Sequence, residues 1–144
     1  MLSLVFEQNP VFSRYAAQKI GVNGFGPHST IGVFDGERII AIIVYSRYDG
    51  YQCEISIVAD SPTWASRRTL AVLFGYPFVQ LKCHRITAII RADNEKSISL
   101  ATRLGWKQET NEQGLRQYCR DGMNAHVFGM LKSECKWIRG VDNG

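Results

Sequence analysis

The sequence predicts an α/β domain built on one mixed, mostly antiparallel central sheet with helices on both faces. Three observations carry that reading. Residues 30–34, 38–48 and 51–59 are rich in β-branched and aromatic side chains, and the Asp35-Gly36 and Asp49-Gly50 pairs separate them. Runs of that composition joined by tight-turn pairs form an antiparallel meander. Beyond residue 60 the apolar spacing turns helical, and helical stretches then alternate with further strands. With 144 residues, 45% of them hydrophobic and 21% charged, the chain holds one good core and not two. Residues 1–144 are therefore read as a single domain.

The elements follow in order. Residues 2–6 read as a short first strand. Pro10 suits the first position of a helix, in which Val11, Phe12, Tyr15, Ala16 and Ile20 recur at helical spacing until Gly21 ends it. Residues 23–28 are a Gly- and Pro-bearing loop. In the third strand of the meander, Glu54, Ser56 and Val58 share one face, and Cys53, Ile55 and Ile57 share the other. Asp60, Ser61 and Pro62 break it. From Trp64 to Lys82, Leu70, Leu73, Phe74, Phe78 and Leu81 fall at helical spacing, and Pro77 predicts a kink or a division. Residues 85–90 form a compact apolar strand. Asp93 or Asn94 caps the next helix; Ile98, Ala101 and Leu104 are its buried stripe and Gly105 its end. Residues 115–119 and 125–131 read as two closing strands around Asp121-Gly122.

Composition narrows the function classes. A net charge of +4 mildly favours anionic partners. The basic residues are spread along the chain with no interleaved basic and aromatic motif, so nucleic acid ranks last. Cys53, Cys83, Cys119 and Cys135 contain no CxxC pair, which argues against zinc. They read as reduced thiols of a cytoplasm-like compartment. No Lys- or Arg-led apolar run opens the chain, so no signal peptide is expected. The longest apolar stretch, residues 39–45, is too short to span a bilayer.

Four strings carry a family resemblance. The run from Asn94 through Ser97, Ser99 and Ala101 to Leu104-Gly105-Trp106 resembles the Asn-led helix ending in Leu-Gly-Phe of the GCN5-related N-acetyltransferase (GNAT) superfamily. Tyr76-Pro77-Phe78, then Leu81 and Arg85-Ile86, looks like the end of that family's coenzyme-binding helix and the strand behind it. The strand 54–59 enters its helix through Pro62 and Trp64. The tail, Gly129 to Leu131 with Glu134 to Trp137, is similar to GNAT-like proteins of phage. The resemblance covers residues 30–137.

The resemblance implies a site. Strands 51–59 and 85–90 would splay, and the pantetheine arm of acetyl-CoA, a co-substrate, would pair with the backbone of Ile57, Val58 and Ala59 as an added strand does. The backbone N–H near Val58 would polarise the thioester carbonyl. The pyrophosphate would sit on the helix start formed by Trp64, Ala65, Ser66, Arg67 and Arg68. Here the sequence departs from the family: Trp64 and Ser66 stand where small residues usually admit the phosphates, with Ser66, Arg67 and Arg68 as compensation. Ala101 stands where many members carry a proton-donating Tyr, which leaves Ser97, Ser99, a water, or no acid at all. Asn94 contacts the coenzyme or caps its helix.

Transfer to an amine needs a base. Glu54 flanks the acceptor side and is either that base or a strand carboxylate paired with a neighbouring cation. His28 sits in a loop bordering the acceptor side, His84 reads as structural, and His126 as a surface or core-edge group on its strand. The function implied is acetyl transfer to a protein or small-molecule amine, in a host cytoplasm if phage-encoded, with no membrane partner and with homodimerisation open. The alternative is a non-catalytic GNAT-fold phage structural or host-interaction protein.

Overall fold

A computed structural model of the chain describes residues 2–7 and 10–138. Seven strands form one sheet in the order β1-β2-β3-β4-β5-β7-β6. Strand β1 (Leu2–Glu7) lies antiparallel to β2 (His28–Asp35), and helix α1 (Pro10–Ile20) connects them. The meander continues through β3 (Arg38–Ser46) to β4 (Gln52–Ala59), with both Asp-Gly turns where the sequence puts them. Strand β3 stops at Ser46 rather than at residue 48 because Arg47 adopts a left-handed φ of 54°, which no strand continues.

The helical stretch after β4 divides into three. Pro62–Trp64 is a 3-10 turn, α2 runs over Arg67–Gly75, and Tyr76–Gln80 is a π-helical turn. Pro77 brings no N–H to the α-helical ladder. The chain answers with a wider loop closed by Leu81 N–H on the Tyr76 carbonyl. Strand β5 (Arg85–Arg91) follows, then α3 (Glu95–Leu104), capped by Asn94 and ended by Gly105 at φ 107°.

The closing strands differ from the sequence reading. Strand β7 (Ala125–Leu131) forms as expected, but residues 115–119 are not a strand. Leu115 makes one isolated bridge to Ala125, and the outer place on β7 goes to β6 (Lys107–Gln108). The backbone explains this. Gly114 at φ 74° and Gln117 at φ 53° turn the chain, and the Cys119 N–H closes on the Met123 carbonyl. A Cβ at residue 114 would meet the Ala125 carbonyl, so this turn requires glycine.

Two cores flank the sheet. Phe12 and Ala16 of α1 pack on Ile42 and Val44, with Val58 against them. On the other face Leu70, Leu73, Phe74 and Phe78 pack with Ile55, Ile86, Ala101, Leu104, Phe128 and Met130. Helices therefore cover both faces, as expected. No helix among the described residues is long and apolar enough to cross a membrane.

Candidate functional site

Strands β4 and β5 are parallel neighbours for three rungs only: Gln52 beside Arg85, Cys53 beside Ile86, and Glu54 beside Thr87. The ladder stops there, and among the described residues 56–59 have no partner on β5. On its other side β4 stays fully paired, from Ala41 opposite Ala59 to Ser46 opposite Glu54. Strand β5 stays paired to β7 along its whole length. The sheet is thus whole on both flanks and forked in the middle.

The hydrogen-bond phase assigns the groups that face the fork. The Asp60 N–H bonds the Ile40 carbonyl. Backbone groups alternate sides along a strand, so Val58 turns its N–H and carbonyl toward β3. Ile57 and Ala59 turn theirs toward the gap, while the Ile55 N–H closes the last rung on the Thr87 carbonyl. Of the three coenzyme positions expected on β4, Ile57 and Ala59 present backbone to the fork, and Val58 presents a side chain to the α1 face.

Helix α2 follows the end of β4 that has parted from β5, by way of residues 60–66, which include the Pro62–Trp64 turn. The Trp64 indole is 2% exposed and packs in the larger core. Ser66 is the N-cap, its Oγ accepting the Thr69 N–H at 3.2 Å and donating to Thr69 Oγ1 at 2.9 Å. That hydroxyl is committed to the helix. Arg67 and Arg68 are exposed, and among the described residues neither guanidinium has an ion-pair partner. Their backbone N–H groups lie in the first turn, ahead of the first intrahelical acceptor. Ala65 is half-buried beneath them.

No family model matches the sequence, and no curated protein matches it. Solved structures do. Mutant forms of the spermidine/spermine N-acetyltransferase SpeG from Vibrio cholerae superpose with a TM-score of 0.75 at 13% identity, over 97% of this chain and 98% of that one. A ribosomal-protein-S5-alanine acetyltransferase from Vibrio fischeri gives 0.60 at 23% identity, over 76% of this chain and 64% of that one. The chain has the GNAT fold. The sheet order, the fork and the helix that follows it are the parts of that fold described above.

The GNAT fold puts the remaining expected residues in context. Asn94 is exposed and caps α3, its Oδ1 accepting the Ser97 N–H at 3.2 Å. Ser97 is half-buried one turn before Ala101, on the same helix face, while Ser99 is exposed on the opposite side. The structure separates these two serines. His28 turns its Nδ1 onto the Gly26 carbonyl, 2.6 Å away, and His84 stacks on Tyr51 at 4.6 Å. His126 is buried with Nδ1 2.9 Å from Thr110 Oγ1.

Glu54 stands on the last shared rung of β4 and β5, at the crotch of the fork, on the α1 face. Arg47 Nε lies 3.4 Å from its Oε2, so the carboxylate has the cationic neighbour that the sequence left open. Thr87 is beside it on β5. Arg85 Nε donates to Thr87 Oγ1 at 3.0 Å, and its two terminal nitrogens grip Glu109, one of them at 2.9 Å. That grip holds the Glu109 carboxyl below its usual range. The pair lies flat on β7, because residue 129 is glycine and a Cβ there would meet Glu109. Sequence reasoning missed Arg47, Thr87 and Arg85. Only a register places them together, although a glycine alternating with large residues on β7 marks a close approach. The buried Cys53 thiol is raised by desolvation and by its neighbour Cys83, which argues against a nucleophile there.

Proposed function

We propose that the chain is an N-acyltransferase that moves an acetyl group from acetyl-CoA to an amine of a protein or small molecule. The observation that supports this most is the fork, where Ile57 and Ala59 turn backbone toward β5 past the last rung that joins the two strands. An extended amide-bearing arm satisfies such groups as a strand would. Buried polar backbone rarely stays unmet.

Each remaining part has a role in this reading. Arg67, Arg68 and the first N–H groups of α2 hold the diphosphate by charge and dipole. The Ile57 N–H, rather than that of Val58, polarises the thioester carbonyl. The thioester supplies an activated acyl group; the amine nitrogen bonds to its carbon as the carbon–sulfur bond breaks. Glu54 takes the amine proton directly or through a water. Ser97 or a water returns a proton to sulfur, since Ala101 has none to give.

The test is thermal unfolding with acetyl-CoA, followed by thiol release with an amine present. Ligand at about one hundred times its dissociation constant adds about 2.7 kcal/mol, a shift of several degrees. Arg67→Ala should weaken binding. An unchanged melting temperature at millimolar acetyl-CoA would favour the non-catalytic reading. A shift without thiol release would leave a coenzyme-binding protein.

A further inference from the structure

Helix α2 lies on the face of the sheet opposite α1. A coenzyme anchored at the α2 start fills the fork from that side, so the amine reaches the carbonyl from the α1 side. Beyond Glu54 and its Arg47 partner, the lining of that side at the fork is neutral. Strand alternation puts Ser56, Val58, Thr87, Ile89 and Val127 there, all half-buried. Ile89 and Val127 are opposite each other on β5 and β7 and belong to neither core. They form a bare aliphatic floor beside the reacting position.

The acids around that floor already have cations. Glu54 faces Arg47 at 3.4 Å, Glu109 is gripped by Arg85, and Asp93 and Asp121 share Arg91, each at 3.0 Å. Asp60 accepts from Tyr15 at 3.1 Å with Lys19 at 4.0 Å. Glu112 is carried on the turn closed by Asn111, whose Gly114 end packs on Ala125 and His126 at the start of β7. A polyamine needs carboxylates for its distal ammonium groups. Here it would have to pull one from an arginine, and a bidentate arginine pair is the strong kind. An aryl or alkyl body instead covers Ile89 and Val127 with no such cost.

Resting on the transferase reading, we propose that the acceptor is a monoamine carried on an apolar body, an arylalkylamine, and not a polyamine. Ile89 and Val127 bind its apolar part, and the Arg85–Glu109 pair selects against additional positive charge.

The experiment compares phenethylamine with spermidine at the same pH, following thiol release from acetyl-CoA. The kcat/KM for phenethylamine should exceed that for spermidine by about tenfold or more, the scale of apolar-pocket discrimination. Arg85→Gln frees the Glu109 carboxylate on the rim and should narrow that ratio by about threefold, as loss of an exposed ion pair does. Val127→Asp puts an acid on the floor and should narrow it further. A wild-type preference for spermidine, or a ratio unmoved by both substitutions, overturns the proposal. Should neither amine be acetylated, calorimetric binding to the protein saturated with coenzyme A decides the proposal. Tighter phenethylamine supports the apolar floor; tighter spermidine, or no amine binding, overturns it.

Discussion

A base that must accept a proton from an ammonium group has to stand close to the bond being made. Glu54 meets that demand by register. It occupies the last rung before β4 and β5 part, so its side chain borders the place where an inserted thioester would end. Arg47 reaches it only because residue 47 has left the strand through a left-handed φ. Glu54→Gln keeps the shape and removes the base. Thiol release with an amine should fall by about a hundredfold or more, while acetyl-CoA binding measured by thermal shift stays within about twofold. Undiminished turnover would take Glu54 out of the mechanism and leave it as the partner of Arg47. Glu54 could be singled out in the sequence because it is an acid on a predicted strand. Its arginine could not, since a positive φ at a non-glycine residue leaves no mark in the local pattern.

At the scale of elements, what was legible followed periodicity and punctuation. The meander could be read because β-branched runs and Asp-Gly pairs agree with each other. Helix α3 could be read from both ends, with Asn94 at its start and Gly105 at φ 107° after its end. The closing segment could not. Leu115, Tyr118 and Cys119 give 115–119 the composition of a short strand, yet Gly114 and Gln117 turn the backbone out of the sheet. The fork had no signature of its own, because side chains alternating between the faces of a strand do not report which neighbour its backbone bonds. It could be expected only through family resemblance. Helix α2 shows the same limit at its start, where Ser66 looks like a phosphate ligand in the sequence and is a cap in the fold. Ser66→Ala should therefore cost about 1 kcal/mol of stability by urea unfolding. Its dissociation constant for acetyl-CoA should change by less than about threefold. A tenfold loss of affinity would return the hydroxyl to the phosphate.

For the whole molecule, residues 109–124 are the long excursion, and charge ties them down. Arg85 holds Glu109, Arg91 holds both Asp93 and Asp121, and Arg120 donates to Asn23 of the α1–β2 loop. Arg91 lowers the carboxyls of Asp93 and Asp121, and Arg85 lowers that of Glu109. Groups whose folded value lies below the unfolded one stabilise the fold above the unfolded value, near 4 for these acids. That stabilisation goes as pH falls through the depressed folded values. Urea midpoints should therefore be flat above about pH 5 and decline on acidification below it. Arg91→Gln removes the cause of two of the shifts, so its decline should be shallower than that of the wild type, although the substituted protein starts from a lower plateau. The Asp93 and Asp121 carboxylates are solvent-exposed, so salt should screen the same contribution, and molar sodium chloride should bring the two curves toward each other. Parallel acid arms for the two proteins at low salt would mean that apolar packing, through the Leu115 bridge to Ala125, holds this segment instead.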